Sequence, residues 1–540
     1  MTGADMDWPA PTRNPVLAGE HMAISSHPAV SAVGHRVLAD GGTAIDATVA
    51  MAAMSWLALP GQCGVGGDAF AVVREPDGSV WTINGSGYGP DGGDLEFYRA
   101  RKLPAIPLTG ALAVAAPGAV AAIAALHARG ATRALPELWA PAIAAAEHGL
   151  PCTRKTRADI REHEAQLRAD EGARRTFLRN GRAPQFGERL LQPELADSLR
   201  LLAADPHALY TGELAERAVA ALAAAGAPFS GDEWAASGVP LPGEAIAGRY
   251  GDLVVHTTPM PTPGWMVLQQ AAVCDGALSG LPWLSADAVG WLAGAARQAF
   301  RDRWDRCGTD TDAWRSLLRP EAVADVRAKL AAGRHPLATA GLTPDGDTTT
   351  TVAVDGDGRA VSFIHSLAFT FGARITIPGT GIMLNNRLGR GAYLLEDHPN
   401  QVRPRRRPLH TCLAWLVTDA GGALRHVGNT PGGDGQVQWN MQVLSHLIDH
   451  GLDPQEAVSA PRFTVFPGSD ADVVGAPDEL ICESRLDERT FAGLRVAGHP
   501  VRMVGPWDAG GSALVVSVDE RLGCLTGGAD PRQDGVALGG

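Results

Sequence analysis

A run of β-branched residues near the middle of the chain constrains the fold more than any other feature. Thr348 to Val354 is followed by a D-G-D-G turn at 355–358 and by the segment Ala360 to Ile364. Two β-like runs around an Asp/Gly turn predict a β-hairpin. The residues before it, GLTPDGD at 341–347, are rich in Gly, Pro and Asp and indicate an exposed segment. The character of the chain therefore changes at residue 348.

The segments on either side of this hairpin differ in predicted secondary structure. The Pro-rich residues 1–20 predict a loose arm, and residues 21–75 predict strand, helix and strand, with Thr43 and Asp46 spaced as a capping box. Residues 105–230 are rich in Ala, Leu and Arg and predict a mainly helical block. Further strands are expected near 374–385, 411–418, 424–428 and 512–526. This order favours an α+β fold with sheets inside and helices outside.

Composition and charge exclude several classes of function. The chain has 540 residues, of which 45% are hydrophobic, so it can bury a large core. A net charge of −13, without a basic stripe, argues against nucleic acid as a partner. We find neither a signal peptide nor an apolar run of the roughly 18 residues that span a membrane, so we expect a cytoplasmic protein. The seven cysteines form no CxxC unit, which favours reduced thiols over a disulfide framework or a zinc site.

The threonines at 348–351 also suggest a chemistry. A threonine freed at its α-amino group carries both a nucleophile and a general base, because an α-amino pKa of about 8 lets it take the hydroxyl proton. Thr348 would first have to be released by cleavage of the Asp347–Thr348 peptide bond, and the Gly/Pro/Asp-rich residues before it suit such a cleavage. Without cleavage the same residues are simply a β-branched strand. The residues alone leave both interpretations open.

Two glycine-rich motifs admit a functional as well as a structural interpretation. Residues 64–69, GVGGDA, fit the G-x-G-x-x-A pattern of a dinucleotide loop. They follow a predicted helix and precede an apolar run, which is the wrong order for that loop and favours a tight structural turn. At 430–434, TPGGD, the adjacent Gly432 and Gly433 would let two N–H groups approach one oxygen. Such a pair forms an oxyanion hole, in which each donor contributes about 10²–10³ in rate.

Eight motifs follow one another along almost the whole chain. They are GHRVLADGGTAIDATVA to CGVGGDAF within 24–70, AAPG at 115–118, PMPTPGWMVLQQ at 259–270, TTTTVAVDGDGRAVSF at 348–363, PGTGIMLNN at 378–386, PGGDGQ at 431–436, APRF at 460–463 and GGADPRQDG at 527–535. In this order they resemble the gamma-glutamyltransferase family of N-terminal-nucleophile (Ntn) hydrolases. The resemblance implies a four-layer αββα sandwich without a metal or organic cofactor. It also implies self-cleavage into a large subunit, 1–347, and a small subunit, 348–540, which remain together as an αβ heterodimer with one intertwined core.

The resemblance assigns catalytic roles to four residues. The nucleophile falls on Thr348, with cleavage between Asp347 and Thr348. The second hydroxyl, which hydrogen-bonds to the nucleophile in the family, falls on Ser366. The two oxyanion-hole glycines fall on Gly432 and Gly433.

The expected substrate pocket departs from the family pattern by a change in the sign of its charge. The family's amine-binding Asn, Gln or Glu, and Asp fall on Ala368, Arg387 and Arg390, and its carboxylate-binding Arg falls on Ser86. Arg390 would repel an ammonium group, so γ-glutamyl compounds such as glutathione are expected to be poor substrates. The arginines would instead bind an acyl group with its own acid function, such as an oxalyl unit. The alternative is that Arg387 and Arg390 are solvated or bridge to acids elsewhere.

Two histidines and a threonine complete the candidate substrate site. The family's Ser-Ser pair beside the substrate falls on His410 and Thr411, and we expect His410 to contact the leaving group. His365 adjoins Ser366 and is also a candidate, although either histidine could be structural. The basic run 403–407 is interpreted as a solvated loop, with anion guidance as the alternative.

Three functions remain open from the sequence. The favoured one is an autoprocessed threonine-nucleophile hydrolase that cleaves an amide-type acyl bond of an acidic, non-γ-glutamyl small molecule in secondary metabolism. The second, by analogy with relatives, is a C–C bond hydrolase that releases an oxalate-like unit in 4-alkylproline antibiotic biosynthesis of the lincomycin or pyrrolobenzodiazepine type. The third is a non-catalytic family member that never matures.

Overall fold

Two seven-stranded sheets face each other in the computed structural model, which describes residues 13–333, 348–466 and 477–540. Sheet A runs in the order β1 (Val16–Ala18), β18 (Cys524–Ala529), β17 (Leu514–Asp519), β13 (Leu424–Asn429), β12 (Trp415–Thr418), β9 (Leu253–Thr257) and β8 (Ile246–Tyr250). Sheet B runs in the order β19 (Val536–Gly539), β2 (Met22–Ser25), β10 (Thr349–Val354), β11 (Ala360–Ser366), β3 (Asp68–Arg74), β4 (Val80–Gly85) and β7 (Leu241–Glu244). Neighbouring strands in both sheets are antiparallel.

Helices cover the outer face of each sheet. Against sheet B lie α1 (Pro28–Ala39), α2 (Ala44–Ala58), α4 (Ala119–Gly130), α5 (Leu135–His148), α9 (Pro193–Ala204), α10 (Glu213–Ala224) and α11 (Asp232–Ser237). Against sheet A lie α12 (Gly264–Cys274), α13 (Ala286–Arg306), α14 (Pro320–Ala331), α16 (Gly435–Ile448), α17 (Pro454–Ser459) and α18 (Glu488–Val496). Within the described ranges, no helix has the length and apolar character needed to cross a membrane.

Smaller elements surround this core. They are the helices α3 (Leu95–Ala100), α6 (Arg154–Glu162), α7 (Glu164–Ala169), α8 (Glu171–Phe177) and α15 (Arg387–Gly391), a three-stranded sheet of β14 (Phe463–Phe466), β15 (Glu479–Glu483) and β16 (Val501–Val504), and a pair formed by β5 (Leu150–Pro151) and β6 (Arg189–Leu190). The seven cysteines all lie in described segments and are free thiols.

Alternation along the strands separates the apolar core into layers. On sheet B, Phe70, Val352 and Ile364 point toward sheet A and pack with its residues Leu416 and Val427. The intervening residues of the same strands point to the opposite face and pack against the helices: Ala71, Ala353 and Phe363. Successive side chains of a strand point to opposite faces of the sheet, so each of these strands contributes to both apolar layers. The expected four-layer αββα sandwich is confirmed.

Local predictions hold where a short pattern specifies the structure and fail where a turn intervenes. The hairpin of β10 and β11 and the capping box of Thr43 with Asp46 are confirmed. The strand expected at 374–385 is wrong, because Gly379 and Gly381 take left-handed φ angles of 70° and 67° and turn the chain back on itself. Two isolated bridges are found there, one between Thr376 and Met383 and one between Leu384 and Gly66.

Three other differences concern strand boundaries. The strand expected at 411–418 begins only at Trp415. The strand expected at 512–526 is two strands, β17 and β18, joined by a turn. The segment 1–20 is not a loose arm throughout its described part, because Val16–Ala18 pairs with β18 at the edge of sheet A.

Residue 348 does not separate two structural domains. Sheet B places β10 and β11 between β2 and β3, and sheet A places β12 beside β9. Both sheets therefore combine strands from either side of residue 348. A chain cut before Thr348 would consist of two interleaved pieces.

Candidate active site

A row of polar residues crosses sheet B at the ends of four neighbouring strands. The strand registers align Thr348, Ser366, Asp68 and Ser86 in that order, at steps of roughly 4.8 Å. Residues that lie directly opposite each other in antiparallel strands project from the same face. This face is turned toward sheet A, since Phe70, two residues beyond Asp68, packs between the sheets.

The Thr348 hydroxyl lies at one end of this row, between two polar groups. It donates a hydrogen bond to Ser366 Oγ at 3.2 Å. Ser366 Oγ also accepts the Ala368 N–H at 2.9 Å, which fixes its orientation. On the other side, the Thr348 hydroxyl interacts with the thiol of Cys412, whose pKa burial raises. Cys412 therefore presents a neutral thiol to Thr348.

A glycine turn stands beside Thr348, between β13 and α16. Gly432 and Gly433 have left-handed φ angles of 124° and 56°, which side chains other than hydrogen rarely allow. A Cβ on Gly432 would lie 2.2 Å from Cζ3 of Trp439. Within the described residues, neither the Gly432 N–H nor the Gly433 N–H donates to a protein acceptor. Two backbone donors are therefore available to a ligand at this turn.

A buried ion pair anchors the glycine turn to a helix on the outer face of sheet A. Asp434, directly after the two glycines, accepts two hydrogen bonds of 2.6 Å from Arg303 on α13. Both side chains are at most 1% exposed. Breaking a buried pair by removing one partner costs about 3–5 kcal/mol, so the pair fixes the position of the turn firmly.

A cavity of about 710 Å³ opens in front of Thr348. Thr348, Pro431 and Gly432 line one part of it, and its walls include the aromatic residues Trp439, Phe466 and Trp507. Charged groups also line it: Arg154, Lys155, Arg502, Arg532, Asp508 and Asp534. The cavity has the size of a small-molecule site, and its aromatic walls suit a planar or apolar group.

A buried ionic network supports the wall that carries Trp507. Glu483 accepts hydrogen bonds from Arg485 at 2.5 Å and from Arg532 at 2.7 Å. Both guanidinium groups also contact the Trp507 ring, at 3.4 Å and 5.1 Å from its centroid. Asp530 joins Arg532 to Arg462. The APRF and GGADPRQDG motifs thus meet in space and hold one side of the cavity.

Arg387 is fully buried and forms an ion pair with Asp68 of the polar row. Its Nε is 3.1 Å from Asp68 Oδ2, and its Nη2 is 3.9 Å from Cys412 Sγ. Burial raises the pKa of Asp68 to about 6, against the lowering effect of the Arg387 charge. Arg390 is also buried, donates to the Ala368 carbonyl at 2.8 Å and stacks on Phe369. Neither arginine is solvated.

His410 is buried close to Asp68 and to the charges of Arg387 and Arg390. Its ring contacts Phe70 edge-on at 4.8 Å, and its Nδ1 lies 3.9 Å from Asp68 Oδ2. Burial, with the nearby Arg387 and Arg407 charges, lowers the pKa of His410 well below its usual value. Among the described residues, neither ring nitrogen has a hydrogen-bond partner, and neither does the Thr411 hydroxyl.

Ser86 is paired with an arginine from the basic run 403–407. Arg407 Nη1 donates to Ser86 Oγ at 3.2 Å, and its guanidinium lies over Tyr88 at 4.0 Å. The other three arginines of the run are ion-paired: Arg405 with Asp91, and Arg403 and Arg406 with Asp310. The interpretation of this run as a solvated loop is therefore wrong for Arg407, which faces the buried row.

His365 does not lie beside the nucleophile. It is one residue from Ser366 and so projects from the opposite face of sheet B, where it contacts Phe363 at 5.0 Å. Phe363 belongs to the layer packed against the helices. The expectation that His365 contacts substrate is corrected, because strand alternation turns it away from Thr348.

The glycine loop at 64–69 has a packing role. A Cβ on Gly66 would lie 2.2 Å from the Met383 carbonyl oxygen, and one on Gly67 would lie 2.4 Å from the Ser366 carbonyl oxygen. Asn385 donates to the Gly66 carbonyl at 2.9 Å. The glycines therefore allow a close backbone approach beneath Ser366, which supports the structural interpretation over a dinucleotide loop.

Sequence reasoning missed three residues of this site. Asp68 ends the glycine loop, Cys412 follows the His-Thr pair, and Arg407 lies in the basic run. The position of Asp68 could have been predicted, because Asp68 is two residues from Phe70 on β3 and therefore projects from the same face of the strand. No sequence signal joins Arg407 to Ser86, because 321 residues separate them.

Comparison with known proteins identifies the family. The profile described as gamma-glutamyltranspeptidase matches residues 30–540. The chain belongs to this family. It is 32% identical to the glutathione hydrolase-like YwrD proenzyme of Bacillus subtilis strain 168, over 97% of this chain and 99% of that protein. It is also 32% identical to the oxamate amidohydrolase proenzyme of Klebsiella pneumoniae, over 96% of this chain and 98% of that protein.

A solved structure extends the similarity to the whole gamma-glutamyltranspeptidase fold. The cephalosporin acylase of Bacillus halodurans matches with a TM-score of 0.88 and 28% identity, covering 99% of this chain and 98% of that one. This member of the gamma-glutamyltranspeptidase family is accordingly a hydrolase with the αββα fold of the Ntn hydrolases. Among its described residues, no group of three or more His, Cys, Asp or Glu side chains could hold a metal ion.

Proposed function

We propose that this chain is an autoprocessed hydrolase whose nucleophile is the Thr348 hydroxyl and whose substrate is an acidic small molecule with an amide-type acyl bond. The observation that carries the proposal is the juxtaposition of three features at one end of the cavity. The Thr348 hydroxyl is hydrogen-bonded to Ser366, the Gly432 and Gly433 N–H groups have no acceptor among the described residues, and a cavity of about 710 Å³ adjoins Thr348 and Gly432.

Maturation would release the Thr348 amine. The Thr348 hydroxyl attacks the carbonyl carbon of Asp347, which lies outside the described residues. The C–N bond to Thr348 breaks as an ester to its oxygen forms, and water then splits the ester. The products are a carboxylate on residue 347 and a free α-amino group on Thr348. The interleaved strands of both sheets would keep the large and small subunits together.

Catalysis would then use both groups of Thr348. The free amine takes the hydroxyl proton while the oxygen attacks the substrate carbonyl. The N–H groups of Gly432 and Gly433 bind the oxyanion, because a tetrahedral intermediate needs donors where the negative charge develops. The protonated amine delivers its proton to the departing amine. Water next hydrolyses the acyl-Thr348 ester and releases the acid.

The charges beside Thr348 support an acidic acyl group without an ammonium. Arg387 and Arg390 are both buried, and Arg387 is already paired with Asp68. A substrate ammonium would enter beside guanidinium groups and lose its hydration, at a cost of several kcal/mol. The relatives named for oxamate and cephalosporin substrates are consistent with acyl groups other than γ-glutamyl.

We expect γ-glutamyl p-nitroanilide to be hydrolysed with a kcat/KM about 100-fold or more below that of glutaryl p-nitroanilide. The two compounds differ only in the ammonium group, so the ratio isolates its effect. The measurement is initial rates of nitroaniline release with the matured enzyme, and glutathione serves as a second γ-glutamyl compound. Equal rates for the two anilides, or efficient turnover of glutathione, would contradict the proposed substrate class.

A further inference from the structure

We propose that Trp439 is a positioning residue for the oxyanion hole, and that its ring joins the Gly432 turn to the loop that carries Trp507. This inference rests on the proposed function, in which the Gly432 and Gly433 N–H groups bind the oxyanion. It adds that the position of these donors depends on a side chain of α16 and on residues 505–511, which we call the Trp507 loop. The oxyanion hole and one wall of the cavity then form a single packed unit.

The Trp439 ring is fixed in place by polar contacts at its edge and above its face. The side chain is 6% exposed, and its Nε1 donates a hydrogen bond to Thr464 Oγ1 on β14 at 2.9 Å. The Arg462 guanidinium lies over the ring, 5.5 Å from its centroid, and is itself paired with Asp530. A buried indole whose N–H already has a partner cannot turn without losing that bond. The ring therefore presents a rigid surface to its neighbours.

Four glycines leave room for this ring. A Cβ would lie 2.2 Å from a ring carbon at Gly432, 2.3 Å at Gly435, 3.0 Å at Gly510 and 2.8 Å at Gly511. The first two glycines belong to the oxyanion turn and the start of α16, and the last two end the Trp507 loop. The ring of Trp439 thus fills the space between the two segments and touches the backbone of both.

Hydrogen bonds hold the far segment as firmly as the near one. The Ser512 N–H, directly after the Trp507 loop, donates to Thr430 Oγ1 at 3.2 Å, and Thr430 precedes the oxyanion turn. The Gly510 carbonyl accepts a hydrogen bond from Arg462. The ring is therefore packed between two backbone segments that cannot simply move apart. In a close-packed interior, a displacement of one such segment is transmitted to the other.

The chemistry of the oxyanion hole makes it sensitive to small displacements. Its donors must lie about 2.7–3.1 Å from the oxygen that becomes charged. A misplacement of about 1 Å can cost about 100-fold in rate. Trp439 offers no group to the reaction at this turn and acts through the position of Gly432. Because the donors bind the charge of the transition state, a shift of the ring should lower kcat more than it changes KM.

Gly510→Ala tests the connection from the far side of the ring. The new Cβ would lie 3.0 Å from Trp439 Cη2, so we expect the ring to shift toward Gly432 and kcat to fall about 10-fold, with KM changed less than about 3-fold. Gly498→Ala is the matched control, because Gly498 has the same φ of 85° but a Cβ there meets no atom within 4 Å. It should keep the wild-type kcat. The assay is hydrolysis of glutaryl p-nitroanilide by the matured enzymes.

A double variant tests whether the ring carries the effect. Trp439→Phe keeps an aromatic side chain but shortens it, so the packing beside Gly432 is lost and kcat should fall about 10-fold. In this background the Cβ of Gly510→Ala no longer meets the outer ring carbons. The double variant should therefore have the kcat of Trp439→Phe alone, whereas independent effects would multiply to about 100-fold.

Several outcomes would overturn the proposal. They are a wild-type kcat for Gly510→Ala, an equal loss in Gly498→Ala, losses that multiply in the double variant, and changes confined to KM, which would mean that the ring contacts substrate without positioning the turn. Urea unfolding and intact mass establish that each variant is folded and cleaved, and the pair Gly510→Ala and Gly498→Ala decides the matter if Trp439→Phe does not fold. A cleaved, active wild type with unaffected variants would overturn this inference alone. A wild-type chain that is neither cleaved before Thr348 nor active on the anilide would overturn the proposed function as well.

Discussion

Thr348→Val is expected to lower kcat by about 10⁴-fold or more, because it removes the attacking oxygen and leaves only binding and the oxyanion donors. Valine has the shape of threonine and suits the strand, so a loss of rate reports the hydroxyl and not the fold. The same variant should also remain uncleaved, since both reactions use this oxygen. Thr348→Ser keeps the hydroxyl and should retain cleavage and part of the rate.

Thr350→Val is the matched control. Thr350 lies two residues along β10, on the same face and equally buried, and its hydroxyl has no partner among the described residues. Removal of a buried hydroxyl without a partner is neutral or stabilising, so cleavage and kcat should stay at wild-type levels. The pair also tests the register, because four consecutive threonines occupy 348–351. An inactive Thr350 variant beside an active Thr348 variant would contradict the assignment.

Gly432→Ala is expected to lower kcat by about 10²–10³-fold with a smaller effect on KM. An alanine Cβ at this position would lie 2.2 Å from Cζ3 of Trp439, and φ of 124° is strained for any side chain. The turn must therefore shift, which moves the Gly432 and Gly433 N–H groups away from the oxyanion. These groups act on the charge of the transition state, so the loss should fall on kcat.

A second glycine separates this effect from backbone strain. Gly276 also has a left-handed φ of 71°, but a Cβ there would meet no atom within 4 Å. Gly276→Ala should therefore lose about 1–2 kcal/mol of stability and keep the wild-type kcat. Urea unfolding of both variants measures the strain, and p-nitroanilide hydrolysis measures the rate. A wild-type kcat for Gly432→Ala would contradict its role as an oxyanion donor.

Features determined by a short stretch of sequence were predictable. The β-branched run Thr348 to Val354 and the turn at 355–358 specify the β10–β11 hairpin, because both strands and their connection lie within one segment. The capping box of Thr43 follows from two residues three positions apart. The strand predicted at 374–385 failed because Gly379 and Gly381 adopt left-handed conformations that the apolar pattern does not reveal.

The site was predictable only in part, because tertiary contacts assemble most of it. The resemblance pointed to Thr348 and Ser366, and the hydrogen bond between them agrees with their pairing across β10 and β11. The period of two could have excluded His365, since its neighbour Ser366 already faces Thr348. The pairing of Arg387 with Asp68 joins residues 319 positions apart, and no local pattern indicates it.

The measurement that tests the central claim most directly is the intact mass of the purified wild-type chain under denaturing conditions. The account predicts two fragments whose masses sum to that of the full chain plus one water, with the smaller fragment beginning at Thr348. Thr348→Val, purified in parallel, should give the full-length chain. A wild-type chain that stays in one piece, or that is cut at another peptide bond, would contradict Thr348 as the nucleophile.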